Sequence, residues 1–218
     1  MNVQVAVIDY GMGNIRSVSK ALQQAGGDRV EVVVTADPAQ LRRASHVVLP
    51  GVGALRDCMN ELERLQLVEV IGECFAAKPF LGICLGMQAL LARSEENDGT
   101  PGLGLLGGEV LHFRGRVADP ALKIPHMGWN SVQQTRPHPL WQGIADGSRF
   151  YFVHSYFVRP QQDALIAGCT DYGGRFASVI ARDNVFAMQF HPEKSQHSGL
   201  QLLGNFLRWD GRCQEGHD

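Results

Sequence analysis

Four times in its first ninety residues the chain sets down a short apolar, β-branched run, stops it at glycine or proline, and resumes with apolar residues at helical spacing. The runs are Val3–Asp9, Val30–Thr35, His46–Leu49 and Phe80–Ile83. Between them lie Ile15, Val18, Leu22 and Ala25, then a short helix entered at Asp37-Pro38, then Leu55, Met59, Leu62 and Leu65. A further helix is expected from about Leu85 to Arg93. Strands that read as continuous apolar runs, separated by amphipathic helices, belong to a parallel sheet covered on both faces. Asn14 suits the N-cap of the first helix and Gly26-Gly27 its C-terminal stop.

After Ser94 the texture changes. A polar, glycine-rich loop runs to Gly108, followed by shorter segments of β character at Glu109–Phe113, Ser131–Gln134, Arg149–Val153, Leu165–Thr170 and Val185–Phe190, and a closing helix near Leu200–Trp209. No repeat or low-complexity linker interrupts them. The 218 residues suit one domain, so the fold class expected is α/β: a single domain with a mostly parallel central sheet flanked by helices and a β-rich C-terminal half that completes the same sheet. That domain spans residues 1–210, and 211–218 form a polar tail.

Composition removes several functions. Twenty basic and 22 acidic residues give a net charge of −2, with no basic cluster to track a nucleic acid. No apolar run approaches the roughly 20 residues of a membrane span, and no basic segment precedes the apolar N-terminal residues, so the expected location is the cytoplasm. The five cysteines include no C-x-x-C pair, which predicts free thiols. No His or Cys pair has ligand spacing, so neither metal nor cofactor is expected. Gly102–Gly107 satisfies G-x-G-x-x-G but precedes a strand, whereas a dinucleotide fingerprint opens a helix; Gly11-Met12-Gly13 has the right context but Arg16 where the third glycine belongs.

What remains is a surplus of glycine, 25 residues where average usage gives roughly 15. Two sit in Gly82-Ile83-Cys84-Leu85-Gly86, where a buried strand meets a helix. A nucleophile elbow turns so tightly that the positions two before and two after must be nearly free of side chain. Cys84 would stand at the first turn of the helix, which favours the reactive thiolate. His191 ends the last apolar strand, Pro192 stops it, and Glu193 is close enough to fix the imidazole tautomer. Cys84 and His191 both fall at carboxyl ends of strands, where sites form in doubly wound sheets. Gly51, Val52 and Gly53 lie at another strand end and could aim amide N–H groups at an oxyanion, with the Leu85 amide as second donor. The competing reading of each feature is structural: a buried thiol, a strand-end histidine, a plain turn. Jointly they favour catalysis.

Gly-Ile-Cys84-Leu-Gly-Met-Gln88 with Phe190-His191-Pro192-Glu193 resembles the class I glutamine amidotransferases, a family with a Cys-His-Glu triad in that chain order. Further segments resemble the branch whose members supply ammonia to a separate cyclase in histidine biosynthesis: Asp9–Asn14, Pro50–Ala54, Pro125–Asn130, Tyr151–Tyr156 and His191–Ser195. The resemblance implies hydrolysis of glutamine through a Cys84 thioester and a heterodimer with a (β/α)8-barrel cyclase. It also implies glutamine recognition by Gln88, Glu96, Ser155 and Tyr156, and a partner face made of Asn14, Met127, Trp129, Tyr151 and Lys194. The alternatives are the glutaminase of another synthase, such as that of pyridoxal phosphate or anthranilate, a stand-alone cysteine hydrolase of similar fold, and a ligand-binding module without chemistry.

Overall fold

The computed structural model describes residues 3–117 and 122–213. Residues 214–218 of the expected tail lie outside them. The first half runs β1 (Val3–Ile8), α1 (Ile15–Gly26), β2 (Val30–Thr35), α2 (Pro38–Arg43), β3 (His46–Leu49), α3 (Leu55–Arg64), α4 (Val68–Ala77), β4 (Phe80–Ile83) and α5 (Leu85–Ala89). The second half runs β5 (Leu91–Ser94), β6 (Thr100–Pro101), β7 (Leu106–His112), β8 (His126–Ser131), β9 (Gln133–Gln134), β10 (Arg149–His154), β11 (Tyr156–Pro160), β12 (Ile166–Asp171), β13 (Arg175–Arg182), β14 (Val185–Met188) and α6 (Gln196–Arg208).

Among the described residues, twelve strands form one sheet in the order β2-β1-β3-β4-β14-β13-β11-β7-β5-β6, with β12 branching from β13 and β9 pairing with β12. The strands from β2 to β14 are mutually parallel. The chain then turns antiparallel through β13, β11 and β7. Strand β1 illustrates why both faces are covered. Ala6 and Ile8 pack with Leu41, Leu55 and Phe80 beneath α2 to α5, whereas Val5 and Val7 pack with Leu22, Phe186 and Phe206 beneath α1 and α6. Period-2 alternation that is apolar on both faces leaves no solvent side.

The structure departs from the sequence expectations in places with identifiable causes. The helix expected to run from Leu85 to Arg93 stops at Ala89, and Leu91–Ser94 becomes a strand parallel to β7. The glycine-rich loop causes this: the Leu103 amide donates to the Ala89 carbonyl at 2.7 Å and the Leu106 amide to the Leu90 carbonyl at 2.9 Å. A Cβ at Gly102 would lie 2.1 Å from the Leu91 oxygen, so this stretch of G-x-G-x-x-G packs on backbone. Helix α4 is separated from α3 by Gln66 in a left-handed conformation. The last strand ends at Met188 and α6 begins four residues before Leu200. Strands β8 and β10 do not complete the main sheet but form a separate antiparallel ribbon.

Burial drives the pKa of His126 and of His138 down to about 4 and that of His154 to about 3. These rings are neutral in the folded chain but take up a proton below about 6.5 when unfolded. The unfolded state therefore binds more protons in acid, and stability present at neutral pH is lost as the pH falls from about 6.5 toward 4. His154 by itself accounts for about 1.4 kcal/mol per pH unit. Calorimetric melting is expected to show a lower transition temperature at about pH 5 than at about pH 7.5; a flat profile would contradict neutral burial of these rings.

Candidate active site

Cys84 occupies the turn between β4 and α5 with φ 54 and ψ −109, a conformation that costs a non-glycine residue about 1–3 kcal/mol. Packing holds it there. A Cβ at Gly86 would lie 1.9 Å from the Leu49 carbonyl oxygen, and one at Gly82 would lie 2.9 Å from Ala187 Cβ. The Cys84 amide donates to the Met188 carbonyl at 2.8 Å, tying the elbow to the strand that delivers His191. With only five residues, α5 carries a small dipole, so the groups around the sulfur matter more than the helix.

His191 is held by its backbone: its amide donates to the Tyr151 carbonyl at 2.9 Å, and its carbonyl accepts from Ser195 Oγ at 2.6 Å. Its Nδ1 lies 2.7 Å from Glu193 Oε1. A carboxylate only accepts, so the proton is on Nδ1. The same Oε1 accepts from Asn14 Nδ2 at 3.2 Å. Asn14 does stand at the N-cap of α1, but its side chain makes no capping bond; it serves Glu193 instead. His191 Nε2 and Glu193 Oε2 are buried without hydrogen-bond partners. Burial lowers the His191 pKa, but the nearby Cys84 sulfur and the hydrogen bond and charge of Glu193 outweigh it, and the pKa is raised.

Cys84 and His191 face one cavity of about 310 Å³, lined also by Val52, Gly53, Leu85, Gln88, Glu96, Ser155 and Tyr156. The size suits a small polar ligand. Glu96 Oε2 accepts from the Leu55 amide at 2.8 Å, so the carboxylate is fixed against the start of α3. Gln88 is buried, and its Nε2 donates to the Tyr156 carbonyl and to Gln189 Oε1.

The loop after β3 presents an oxygen where the sequence suggests a donor. The Leu85 amide points at the Gly51 carbonyl, 3.4 Å away. In a trans peptide the N–H of Val52 is directed opposite to that carbonyl, hence away from the Leu85 amide. Tyr10, fully buried, donates its hydroxyl to the neighbouring Pro50 carbonyl at 2.9 Å.

The ribbon β8–β10 lies beside this cavity. Tyr151 pairs with Trp129, their rings edge to face at 6.2 Å, and Lys194 Nζ sits 5.7 Å from the Tyr151 ring centre. Met127 is 61% and Trp129 37% exposed, large apolar side chains on one strand with no cover from this chain. The sequence assigns no role to Tyr10 or Gln189. Both adjoin its motifs, Tyr10 inside Asp9–Asn14 and Gln189 immediately before Phe190, but a buried polar residue gives no periodic signal.

The family described as Glutamine amidotransferase class-I matches residues 6–209. An imidazole glycerol phosphate synthase subunit HisH from Nitrosococcus oceani is 60% identical over 207 residues, covering 95% of this chain and 98% of its own. The protein of that name from Aromatoleum aromaticum is 56% identical over 210 residues, covering 94% and 98%. Among solved structures, PurLQS from Thermotoga maritima superposes with a TM-score of 0.70 at 19% identity, covering 95% of this chain and 99% of that one. At that identity the likeness concerns fold.

Removing the Glu193 charge removes one of the influences that raise the His191 pKa. In Glu193→Gln the ring should therefore lose its proton at lower pH than in the wild type, as read by NMR titration of the imidazole. An unchanged midpoint would mean that Glu193 does not act on the ring.

Proposed function

The chain belongs to the class I glutamine amidotransferases, and from that membership we propose that it is the glutaminase subunit of an imidazole glycerol phosphate synthase. One observation carries the proposal: Cys84 and His191 share a single cavity in a chain that matches relatives of that name at up to 60% identity over nearly its whole length.

The reaction follows from the groups present. The Cys84 thiolate attacks the side-chain carboxamide carbon of glutamine, forming an S–C bond and moving the carbonyl electrons to oxygen. When the tetrahedral adduct collapses, the C–N bond breaks and the imidazolium of His191 gives its Nε2 proton to the departing nitrogen, which leaves as ammonia. A glutamyl thioester remains. Neutral His191 then takes a proton from water, the hydroxide adds to the thioester, and the S–C bond breaks to release glutamate and regenerate the thiolate. Glu193, itself held by Asn14, keeps the ring in the required tautomer. Gln88, Glu96 and the backbone at Ser155 and Tyr156 enclose the amino-acid end of the substrate.

The oxyanion of the adduct needs N–H donors. Leu85 supplies one, but its amide faces the Gly51 carbonyl. Rotation of the Gly51–Val52 peptide would withdraw that oxygen and bring the Val52 N–H into its place, beside the flexible Gly53. The isolated chain is therefore a poor glutaminase, and turning this peptide makes it a good one. The turn is driven by a (β/α)8-barrel cyclase and its nucleotide ligand, docked on the face made by Asn14, Met127, Trp129, Tyr151 and Lys194, so that ammonia forms only where it is consumed. The cyclase joins that ammonia to a phosphoribulosyl-formimino carboxamide nucleotide, yielding imidazole glycerol phosphate and an aminoimidazole carboxamide nucleotide.

Glutamate release by the purified chain should rise at least about tenfold, equivalent to about 1.4 kcal/mol in barrier, on adding a cyclase with its nucleotide, and should vanish in Cys84→Ala. Full activity of the chain alone would instead favour a stand-alone hydrolase. For the interface, Trp129→Ala should weaken heterodimer formation by about 2 kcal/mol, the cost of losing an aromatic anchor. Isothermal titration against the cyclase measures it, and an unchanged affinity would move the docking face elsewhere.

A further inference from the structure

A chain of buried hydrogen bonds ends on the nucleophile, and its direction can be worked out from the groups that cannot change role. The carbonyl of Tyr156 can only accept. Gln88 Nε2 lies 3.2 Å from it and 3.0 Å from Gln189 Oε1. Turning the Gln88 amide over would set its oxygen against that carbonyl, so Gln88 presents its NH2 group to both neighbours. Gln189 must then offer its oxygen to Gln88. Its own NH2 is left pointing at Cys84 Sγ, 3.5 Å away. Gln189 is fully buried and Gln88 nearly so, and neither amide can exchange these partners for water.

The Tyr156 carbonyl is in turn held from its other side. His154 Nδ1 donates to it at 2.7 Å. The His154 Nε2 therefore accepts, taking a proton donor from His126 Nδ1 at 2.9 Å, and His126 Nε2 accepts from Asn130 Nδ2 at 3.2 Å. Asn130 is oriented by backbone alone: its Oδ1 accepts from the Ser131 amide and its Nδ2 also donates to the Asp171 carbonyl, each at 2.8 Å. Each proton in the series has one placement that satisfies all partners, with both imidazoles neutral.

We propose that Gln189 is a further catalytic residue, donating an N–H to the Cys84 sulfur when it is the thiolate, and that Gln88 is the positioning residue that keeps this donor turned toward the sulfur. A buried thiolate has lost most of its water and gains from each N–H aimed at it. His191 shares the cavity with the sulfur, and Gln189 is the side chain whose N–H reaches it. Gln88 thus lines the glutamine cavity with its two amide protons committed to the protein, so that a contact with substrate is left to its oxygen.

The inference rests on Cys84 being the glutaminase nucleophile, and two readouts keep them distinguishable. The first is the rate at which iodoacetamide, which lacks the amino-acid end of glutamine, alkylates Cys84 in the full-length chain at neutral pH, followed by peptide mass spectrometry so that the exposed Cys213 is not counted. The second is kcat and KM for glutamine in the complex with a cyclase and its nucleotide. Gln189→Met keeps the length and removes the donor. It should slow alkylation and lower kcat by about tenfold each, the effect of one charge-assisted hydrogen bond, while KM stays within about twofold. Gln88→Met should slow alkylation as well. Thermal melts establish that the variants are folded, and Gln189→Leu repeats the measurement if Gln189→Met does not melt cooperatively. Wild-type rates of alkylation and turnover in folded Gln189 variants would overturn the inference while leaving the glutaminase reading intact. A raised KM with wild-type alkylation in Gln88→Met would overturn the positioning role. A wild-type chain that hydrolyses no glutamine with the cyclase would remove the glutaminase reading and this inference with it.

Discussion

The approach of the α5 backbone to the end of β3, so close that the Leu49 carbonyl occupies the space a side chain at Gly86 would need, sets the geometry of everything around the cavity. It forces the elbow at Cys84 into a left-handed conformation and stands the thiol clear of the sheet. The cost of that strained residue is offset by burial on every side: Leu85, Met87 and Ala89 of the short helix are all in the core. Because the elbow amide is bonded to Met188 and β14 pairs with β4 in register, the strand that leads to Cys84 and the strand that leads to His191 are neighbours with no freedom to slip. A slip of one residue would turn every side chain to the opposite face.

How much of this could be read from the residues depended on whether the feature has a local cause. Apolar runs, capping residues and the paired glycines around Cys84 are local, and the parallel half of the sheet was legible from them. So were the cavity-lining residues Cys84, His191, Val52 and Gly53. The short length of α5 was not, because it is imposed by a loop fifteen residues further on whose backbone takes the Ala89 and Leu90 carbonyls. Strands β5, β11 and β13 carry no such local signal: β11 pairs with β7, far off in the chain, and β propensity follows context more than composition. Gln189 and the His126–His154 pair belong to the same category. Their roles exist only once their hydrogen-bond partners are in place.

Asn14 shows how one residue can satisfy a sequence rule and do something else. It sits at the N-cap of α1, as its type suggests, yet its amide is spent on Glu193. The start of the first helix and the orientation of the His191 imidazole are thereby linked across 179 positions of chain. The glycine loop that precedes it, between β1 and α1, has the same kind of double position, with Tyr10 reaching under the loop after β3.

The ribbon of β8 and β10 is bonded to the rest of the site in a particular manner. The His191 amide takes the carbonyl of Tyr151, and the Tyr151 amide takes the Ser195 hydroxyl. Both contacts use main-chain atoms of the ribbon, which are the same whatever residue stands at position 151. Side chains on the exposed side of the ribbon can thus diverge between lineages, following changes in whatever they touch, without moving the histidine. The anchor is blind to the identity of the surface it supports, and that surface can change without disturbing the cavity beneath it.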